Sequence, residues 1–371
     1  YDLQNNVIKT RGGRTYMENL GEYTTMTEYD YLNKPIKSYR ADGTYTTAEY
    51  DKQGNITSST DYMGNKTIYT YDGLGREVKR TVPFEDNTNT KSLTYYDKNG
   101  NVVMTKQQNN KPGEAESYTI TENEYDCRNR LITVKVNDGT RNIYTQYAYD
   151  SVGNITKCVT GQTEKLTDLN TALPEGASVV SYEYDRFGNV TKTTDALGKS
   201  ETSTYNLAGL PETKTDRNGN TAYYTYNAYG SVKELQTTKG DDVLNQYTAN
   251  NLLKVCIDWN EMDKTHAFYS YDAMGNMIKE SVSSATEVKT YTYDADGNRK
   301  TYTLTQNGAV TQNATYTYDN INRLTNVSYN NGISASYTYD ANDRLIKEIT
   351  PDNTAEYSYN KAGLLTALGN S

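Results

Sequence analysis

Few side chains in this sequence have the types and spacing that catalysis requires. A nucleophilic triad needs a positioned base, and the single histidine, His266, lies in an ordinary Asp-Lys-Thr-His-Ala-Phe stretch between repeats. Paired carboxylates can perform acid–base chemistry, but the aspartates recur so regularly that a turn role explains them. We therefore predict no catalytic residue, and we interpret His266 as an exposed strand or loop residue.

Metal and cofactor sites are not expected either. Cys127, Cys158 and Cys256 lack CxxC spacing and have only one histidine to accompany them, so they do not form a zinc pattern. They are interpreted as free structural thiols, with one disulfide of unassigned pairing left open. Acidic turns offer oxygens to calcium, but they lack the alternating carboxylates of known calcium loops. Glycine-rich phosphate loops leading into a helix are absent.

Composition narrows the class of protein and of partner. The net charge of −9 disfavours nucleic acid and anionic membrane surfaces, which need clustered Lys and Arg. No stretch approaches the roughly 18 apolar residues of a membrane-spanning helix. Leu, Ile, Val and Phe are scarce, whereas the 38 tyrosines supply large rings with a polar end and favour strands. The composition predicts a β-sheet whose faces are largely exposed to solvent. Because the chain opens with Tyr1 and not with Met, it is expected to be a piece of a longer protein.

A repeat dominates the chain and begins with tyrosine at sixteen places. The commonest spacing between successive first residues is 21. Each repeat is named below by its first residue: Tyr1, Tyr29, Tyr50, Tyr71, Tyr96, Tyr125, Tyr149, Tyr184, Tyr205, Tyr226, Tyr247, Tyr271, Tyr293, Tyr318, Tyr339 and Tyr359.

The next positions of the repeat indicate a tight turn. The second residue is Asp in twelve repeats and Asn in three, and the fifth is Gly in ten and Asn or Asp in the others. Gly, Asn and Asp tolerate a positive φ angle, and an aspartate can accept a backbone N–H two residues on. The predicted structural signature is clearest at Tyr50, Asp51, Gly54; Tyr71, Asp72, Gly75; Tyr149, Asp150, Gly153; Tyr184, Asp185, Gly188; Tyr271, Asp272, Gly275; and Tyr293, Asp294, Gly297.

Strands are predicted on both sides of this turn. Tyrosine often stands two residues before the first residue, and the seventh residue is usually apolar, so alternation places these side chains on strand faces. A second turn, such as Asp61 to Gly64, lies halfway through many repeats. Residues 161–178 are predicted to form an inserted loop that projects from the array, with smaller insertions at 83–90 and 107–115. No helix is expected, except within the long insertion.

Sixteen two-stranded units give about 32 strands, and each hairpin must pair with the next because one hairpin is marginal alone. At about 4.8 Å per strand the sheet would extend on the order of 150 Å. Twisted open sheets of this size curl, so the sheet is expected to spiral. One closed turn would have a diameter of about 50 Å, enough to enclose a small domain.

The Tyr-Asp-x-x-Gly-Asn units with an upstream tyrosine resemble the YD repeats of the RHS family over essentially the whole chain, residues 1–371. That family includes bacterial polymorphic toxins, wall-associated proteins, C components of insecticidal toxin complexes and teneurins. The resemblance implies an all-β fold in which tandem hairpins form one long antiparallel sheet that spirals into an open or partial hollow shell. It also implies secretion or surface display, with a toxic or signalling domain of the same polypeptide enclosed or presented.

Two functions fit these patterns best, and a plain stalk or spacer fits them less well. The first is a non-catalytic shell or scaffold module whose partners are enclosed or adjacent domains of its own parent polypeptide. The second is a surface module that binds carbohydrate, because exposed tyrosine rows suit stacking on sugar rings. For both, an extracellular or cell-surface location in a bacterium is expected, with no nucleic-acid partner and no membrane insertion by this segment.

Overall fold

The computed structural model is all-β and describes residues 1–17, 24–85, 88–109, 116–170, 173–174, 176–259, 264–283 and 286–370. Its 31 strands form one antiparallel sheet. Among the described residues the first and last strands do not pair with each other, so the sheet is open. The predicted series of hairpins in a single long sheet is confirmed.

The strands have the following bounds: β1 Lys9–Thr10, β2 Thr25–Tyr29, β3 Pro35–Arg40, β4 Tyr45–Tyr50, β5 Ile56–Thr60, β6 Lys66–Tyr71, β7 Glu77–Pro83, β8 Asn89–Tyr96, β9 Val102–Asn109, β10 Ser117–Tyr125, β11 Leu131–Asn137, β12 Asn142–Tyr149, β13 Ile155–Gln162, β14 Ser178–Tyr184, β15 Val190–Thr194, β16 Ser200–Tyr205, β17 Pro211–Thr215, β18 Thr221–Tyr226, β19 Val232–Thr237, β20 Asp242–Tyr247, β21 Leu253–Trp259, β22 Lys264–Tyr271, β23 Met277–Val282, β24 Glu287–Tyr293, β25 Arg299–Gln306, β26 Ala309–Tyr318, β27 Leu324–Tyr329, β28 Ser334–Tyr339, β29 Leu345–Thr350, β30 Asn353–Tyr359 and β31 Leu365–Asn370. One short helix, α1, spans Gly13–Met17.

The chain divides into two compact units. Unit 1 comprises Tyr1–Lys91 together with Phe268–Ser371, so its two segments are far apart in sequence. Unit 2 comprises Ser92–Ala267.

Each Tyr-Asp turn joins two strands in one register. In the Tyr50 repeat the Gly54 N–H donates to the Asp51 carbonyl at 3.1 Å, which closes a four-residue turn. Tyr50 lies opposite Ile56, and a register shift falls between Glu49 and Tyr50. The first residue of the repeat therefore pairs with the seventh across a bulge, as it does in the neighbouring hairpins.

The fifth residue of every repeat has a positive φ angle, as predicted. The six repeats without glycine there use residues that tolerate this conformation. They are Asn5, Asn33, Asn129, Asn251, Asn322 and Asp343, with φ between 60° and 67°.

The sheet has little fully buried interior, in agreement with the wet faces that composition predicts. In unit 1, Ala314 is 1% exposed and Ala355 6%. In unit 2, Val159 is 0% exposed and Gln162 1%. Most strand residues are half-buried, as in β6, where half-buried and exposed residues alternate. Stability must therefore depend heavily on ladder hydrogen bonds and on the contacts that recur from repeat to repeat.

Two expectations about irregular segments were wrong. The helix lies at Gly13–Met17 and not in the long insertion, where the described residues form no helix. That insertion does not simply project either: the Leu166 N–H donates to Gln146 Oε1 at 2.7 Å, and the Gln146 amide donates back to the Leu166 carbonyl at 3.0 Å. These bonds hold the loop against β12. They also satisfy the side-chain amide of Gln146, which is buried and therefore needs hydrogen-bond partners.

Parts of the three predicted insertions lie outside the described residues, namely 86–87, 110–115, 171–172 and 175. In the described part of the long insertion, Lys157 Nζ donates to the Leu169 carbonyl at 2.9 Å. Lys165 also pairs with Glu124.

Candidate functional site at the Tyr-Asp turns

The turn aspartate organises the turn through both of its carboxylate oxygens. In the Tyr50 repeat, Asp51 Oδ1 accepts the Asn55 N–H at 2.9 Å, and Oδ2 accepts the Asn55 side-chain amide at 2.9 Å. Where the sixth residue is arginine the same place is taken by a guanidinium, as when Arg344 Nε donates to Asp340 Oδ2 at 2.6 Å. The carboxylate thus fixes the turn and orients the sixth side chain.

These hydrogen bonds favour the ionised carboxylate. In Asp51, Asp97 and Asp185 the amide of the sixth-position asparagine is the largest cause of a lowered pKa, and backbone N–H groups lower the pKa further. The effect is largest at Asp138 of a second turn, where the Thr140 hydroxyl and backbone lower the pKa to about 2.

Acid should therefore destabilise the array over a defined range. Because the pKa of these aspartates is lower in the folded chain than the ordinary 3.8, their stabilisation is complete above about pH 4 and is lost as pH falls towards about 2. We expect the melting temperature to be nearly constant from pH 7 to 5 and to fall below pH 4. Circular dichroism melts at stepped pH would measure this.

The control for this acid effect exists within the chain. Asn206 occupies the aspartate position and accepts the Ala208 and Leu210 N–H groups at 2.9 and 3.0 Å through Oδ1, without a titrating group. Replacing Asp51 and Asp185 with asparagine should keep both turns and reduce the slope of melting temperature against pH. An unchanged slope in this variant would show that other groups control the acid response.

In most repeats the hydroxyl of the first tyrosine connects the repeat to the preceding one. Tyr184 donates its hydroxyl to the Ile155 carbonyl at 2.7 Å, and Tyr205 donates to the Val190 carbonyl at 2.7 Å. In each case the acceptor is the seventh residue of the preceding repeat. Burial raises the pKa of the Tyr184 hydroxyl, which keeps it protonated and able to donate. Phenylalanine would supply the ring without this bond.

A matched pair of tyrosines in β14 tests the bond. Tyr184→Phe should lower the free energy of unfolding by about 1 kcal/mol, the usual worth of a partly buried hydrogen bond. Tyr182→Phe, two residues earlier on the same strand, should cost only a few tenths of that amount. Urea unfolding followed by circular dichroism would measure both. Equal losses would mean that the Tyr184 hydroxyl has no special role.

The sixth residue forms a second connection when it is arginine. Arg344 lies over the ring of Tyr359, the first residue of the next repeat, at 4.9 Å, and its Nη1 donates to the Asn360 carbonyl at 3.1 Å. Arg323 and Arg130 make the same two contacts with the next repeat. The guanidinium therefore occupies a defined slot on the following Tyr-Asp turn, formed by a ring face and a carbonyl oxygen.

Within unit 1, the two chain segments meet along a line of polar contacts that we call the seam. On one side are Arg14, Arg40, Asp61, Met63 and Phe84, and on the other are the turns 294–297, 319–322 and 340–344 and residue 361. Asn342 donates to Asp61 Oδ2 at 2.8 Å, and Arg344 Nη2 approaches the Met63 sulfur at 3.0 Å. The seam joins residues that are about 280 to 300 positions apart in sequence.

Arg14 is a buried member of the seam, at 7% exposure. Its Nη1 donates to the Asp319 carbonyl at 2.7 Å and to Asn322 Oδ1 at 2.9 Å. Its Nη2 donates to the Tyr318 carbonyl at 2.8 Å, and its Nε lies 3.6 Å from Asp294 Oδ2. Its backbone N–H donates to Asp296, which lowers the pKa of that carboxyl.

Arg40 makes a parallel contact one repeat further along the seam. Its Nη1 reaches both carboxylate oxygens of Asp343, at 2.9 and 2.7 Å, and its Nη2 donates to the Ala341 carbonyl. The guanidinium also stacks on the Tyr62 ring at 3.7 Å. Arginines of the seam and sixth-position arginines therefore bind the same kind of acceptor, the oxygens of a Tyr-Asp turn.

Open grooves lie beside the turns at Tyr71 and Tyr184, and in both cases the sixth residue of the preceding repeat is asparagine. One has a volume of about 710 Å³ and is lined by Asp51, Asn55, Tyr71, Asp72 and Leu74. A second, of about 590 Å³, is lined by the equivalent residues Asp150, Asn154, Tyr184, Asp185 and Phe187. The first lies in unit 1 and the second in unit 2.

The candidate catalytic and metal-binding residues are dispersed. His266 lies on β22, Cys127 is exposed, and Cys158 and Cys256 are half-buried; all three cysteines are free thiols. In the described part of the chain, no group of three or more His, Cys, Asp or Glu residues is arranged to hold a metal ion. No described helix has the length and hydropathy needed to traverse a bilayer.

The structure shows three features that the sequence patterns did not reveal. The arginine slot, the seam and the grooves all depend on contacts between different repeats. The occurrence of arginine at the sixth position of some repeats and asparagine at that of others was the available signal for the slot. For the seam no local signal exists, since its partners are separated by most of the chain.

Comparison with known families identifies the repeat. The family model described as RHS Repeat matches residues 50–84, 169–200, 318–355 and 339–371.

Curated relatives occur in Bacillus. The chain is 28% identical over 272 residues to a protein named tRNA3(Ser)-specific nuclease WapA from Bacillus spizizenii, covering 71% of this chain and 9% of that protein. It is 29% identical over 172 residues to tRNA nuclease WapA from Bacillus subtilis, covering 43% of this chain and 7% of that protein. The chain thus spans less than a tenth of the length of either relative.

Solved structures share the fold. A chain of the Photorhabdus luminescens Tc holotoxin pore superimposes with a TM-score of 0.72 at 14% identity, covering 93% of this chain and 20% of that one. A chain of the TcdB2–TccC3–TEV crystal structure gives 0.53 at 14% identity, covering 94% of this chain and 23% of that one.

Proposed function

Since the RHS Repeat model matches four segments of the chain, we propose that the chain is a non-catalytic wall segment of a larger secreted protein, and that the wall encloses or presents an effector domain of the same polypeptide. The observation that carries the proposal is the use of the repeat's recurring polar residues within the array itself. The aspartates fix the turns, and the first tyrosines hydrogen-bond to the preceding repeat. These contacts account for the signature residues by a structural role.

The lengths of the relatives support the assignment of catalytic and enclosing roles to different parts of the parent polypeptide. Two of them are named as tRNA nucleases, yet this chain spans only 9% and 7% of their lengths. We propose that nuclease or other toxic activity, where present, belongs to a different part of the parent polypeptide and that the repeats contribute containment. Secretion or surface display in a bacterium is part of this proposal.

Shape is the first test. Small-angle scattering and electron microscopy of the isolated chain should show a curved wall with a concave face. A straight rod would overturn the enclosing role. The second test uses the full-length parent protein: a segment enclosed by the repeats should resist added protease while the repeats are intact and be digested once they are unfolded. Equal digestion in both conditions would argue against enclosure.

A second candidate function, glycan binding, is favoured by three exposed rings at turn tips. Tyr31 is 91% exposed, Tyr229 73% and Phe187 66%. Aromatic faces of this kind can stack on sugar rings. A glycan array probed with the wild-type chain and with the three rings replaced by alanine would test this function. Binding that the triple variant retains, or no binding at all, would remove this candidate.

A further inference from the structure

Three repeats place an arginine of their own on the next Tyr-Asp turn. The guanidinium of Arg130, Arg323 or Arg344 lies 4.6 to 5.1 Å from the ring of the next repeat's first tyrosine. In each case Nη1 also donates to the carbonyl of the residue that follows that tyrosine, at 2.8 to 3.1 Å. Arginine suits such a place because its planar cation can stack on a ring while its fork of N–H groups points at oxygens.

The Tyr318 turn shows what happens when the preceding repeat offers no arginine. The sixth residue of the Tyr293 repeat is Asn298, whose side-chain amide donates to Asp294 of its own turn and to Asn322 of the next. Arg14, from a distant segment of unit 1, donates to the Asp319 carbonyl at 2.7 Å. That carbonyl is the equivalent of the one that Arg323 and Arg344 use in the next two repeats. The slot on a Tyr-Asp turn can therefore be filled by an arginine that does not belong to the preceding repeat.

The grooves at Tyr71 and Tyr184 correspond to this situation. Their preceding sixth residues are Asn55 and Asn154, and the grooves have volumes of about 710 and 590 Å³. The asparagines lie beside the next turn, with Oδ1 at 3.5 Å from the place a Cβ on Gly75 would take and 3.9 Å from that of Gly188. The Arg344 guanidinium lies at 3.6 Å from the equivalent point of Gly363. The sixth side chain thus approaches the same place in both classes of repeat.

We propose that the grooves at Tyr71 and Tyr184 are binding sites for an arginine side chain presented by a peptide segment. In each groove the guanidinium stacks on the tyrosine ring and donates to the carbonyl of Asp72 or Asp185, as Arg344 does at Tyr359 and Asn360. These carbonyls accept the turn N–H of Gly75 and Gly188 at 3.0 and 3.1 Å, and a carbonyl oxygen has two lone pairs.

Charge and exposure at the grooves fit such a ligand. Hydrogen bonds lower the pKa of Asp51, Asp72 and Asp185, so these residues carry negative charge at neutral pH. The Tyr71 ring is held in place because its hydroxyl donates to the Ile56 carbonyl at 2.8 Å. At the groove mouths Leu74 is 78% exposed and Phe187 66%, which offers apolar contact to the residues flanking the arginine.

Selectivity for arginine over lysine follows from this geometry. A lysine ammonium is a compact charge and cannot stack as a plane while it donates in a fork. In the one repeat where lysine precedes, Lys34 Nζ lies 5.1 Å from the centre of the Tyr50 ring. The two sites should therefore discriminate between peptides that differ only in this residue.

A photo-crosslinking peptide tests the proposal with the full chain. The probe carries the sequence of residues 11–17, the segment that delivers Arg14, with a photoreactive group at one end, and the control peptide has lysine in place of both arginines. We expect cross-links to residues 72–75 and 185–188 with the arginine peptide and at least ten-fold lower yield with the lysine peptide. Equal yields would overturn the proposal.

Matched variants assign each cross-link to its groove. Asn55→Arg should fill the first groove from within, as Arg344 fills its own slot, and abolish the cross-links at 72–75 while those at 185–188 remain. Asn154→Arg should do the reverse, and Arg130→Asn should create new cross-links at 150–153. Persistence of both cross-links in the two Asn→Arg variants would refute the sites. Melting curves would confirm that each variant is folded.

Discussion

Arg14→Ala should lower the free energy of unfolding of unit 1 by about 4 kcal/mol, because removing one partner of an enclosed ion pair leaves the other charge uncompensated. The substitution leaves Asp294, whose side chain is 3% exposed, without the guanidinium at 3.6 Å. It also removes the donors to the carbonyls of Tyr318 and Asp319. Hydrogen exchange read by mass spectrometry should show lost protection at the seam, with β11 to β13 of unit 2 unchanged.

Two variants serve as controls for this prediction. Arg14→Lys keeps the charge but loses the fork of donors, so we expect about half the loss. Arg186→Ala removes an exposed arginine of unit 2 that lies over the Phe187 ring at 4.6 Å, and it should cost less than about 0.5 kcal/mol. If Arg14→Ala and Arg186→Ala had similar effects, the seam would not depend on Arg14.

Gly161→Ala should be the most damaging glycine substitution in unit 2, with a loss of about 3 kcal/mol. Gly161 has a φ of 90°, which L side chains rarely adopt. A Cβ there would also lie 2.7 Å from the Gly176 carbonyl oxygen. Conformational strain and a clash with backbone would act together, and the insertion held on Gln146 would have to shift. Urea unfolding and exchange of the β12 and β13 amides would measure the loss.

Gly176→Ala separates strain from the clash. Its φ is 81°, close to that of Gly161, but a Cβ there would meet nothing within 4 Å. We expect about 1 kcal/mol from strain alone. If the two substitutions cost the same, the close approach of Gly176 to Gly161 would have no influence on stability.

The local geometry of this protein could be predicted well because it depends on residues that are close in sequence. The restriction of the fifth position to Gly, Asn and Asp indicates a positive φ angle there. Asn5 and Asp343 indicate this angle as well as a glycine does. Strand pairing followed from the same turns, since an antiparallel hairpin has its register fixed by the turn.

Contacts between distant residues could not be predicted in this way. Arg14 has no sequence feature that points to Asp319, 305 positions away. The helix α1 has only five residues, too few to be stable alone. Its Arg14 N–H is held by Asp296 of the other segment. The long insertion was expected to project because Pro174 and Gly176 mark a loop, yet a buried glutamine pair beneath it supplied partners that no local pattern shows.

The candidate site shows the same difference between local geometry, which could be predicted, and contacts between repeats, which could not. The turn residues of the sites at Tyr71 and Tyr184 were recognised as parts of turns, but their relation to the preceding Asn55 and Asn154 needed the spatial neighbourhood. The alternation between Asn and Arg looks like neutral drift in the sequence. In the structure, Arg130, Arg323 and Arg344 contact the next turn, whereas open grooves follow Asn55 and Asn154.

The two ends of each hairpin carry different constraints. The first, second, fifth and seventh residues meet at the Tyr-Asp corner, where hydroxyl, carboxylate and left-handed backbone must all fit. The opposite end has turns of its own in many repeats, such as Asp61 to Gly64, but the insertion between β13 and β14 also lies there. The length of the connection at that end differs from repeat to repeat, while the Tyr-Asp corner keeps its geometry. Extra residues can thus be added opposite the corner without changing the turn that sets the strand register.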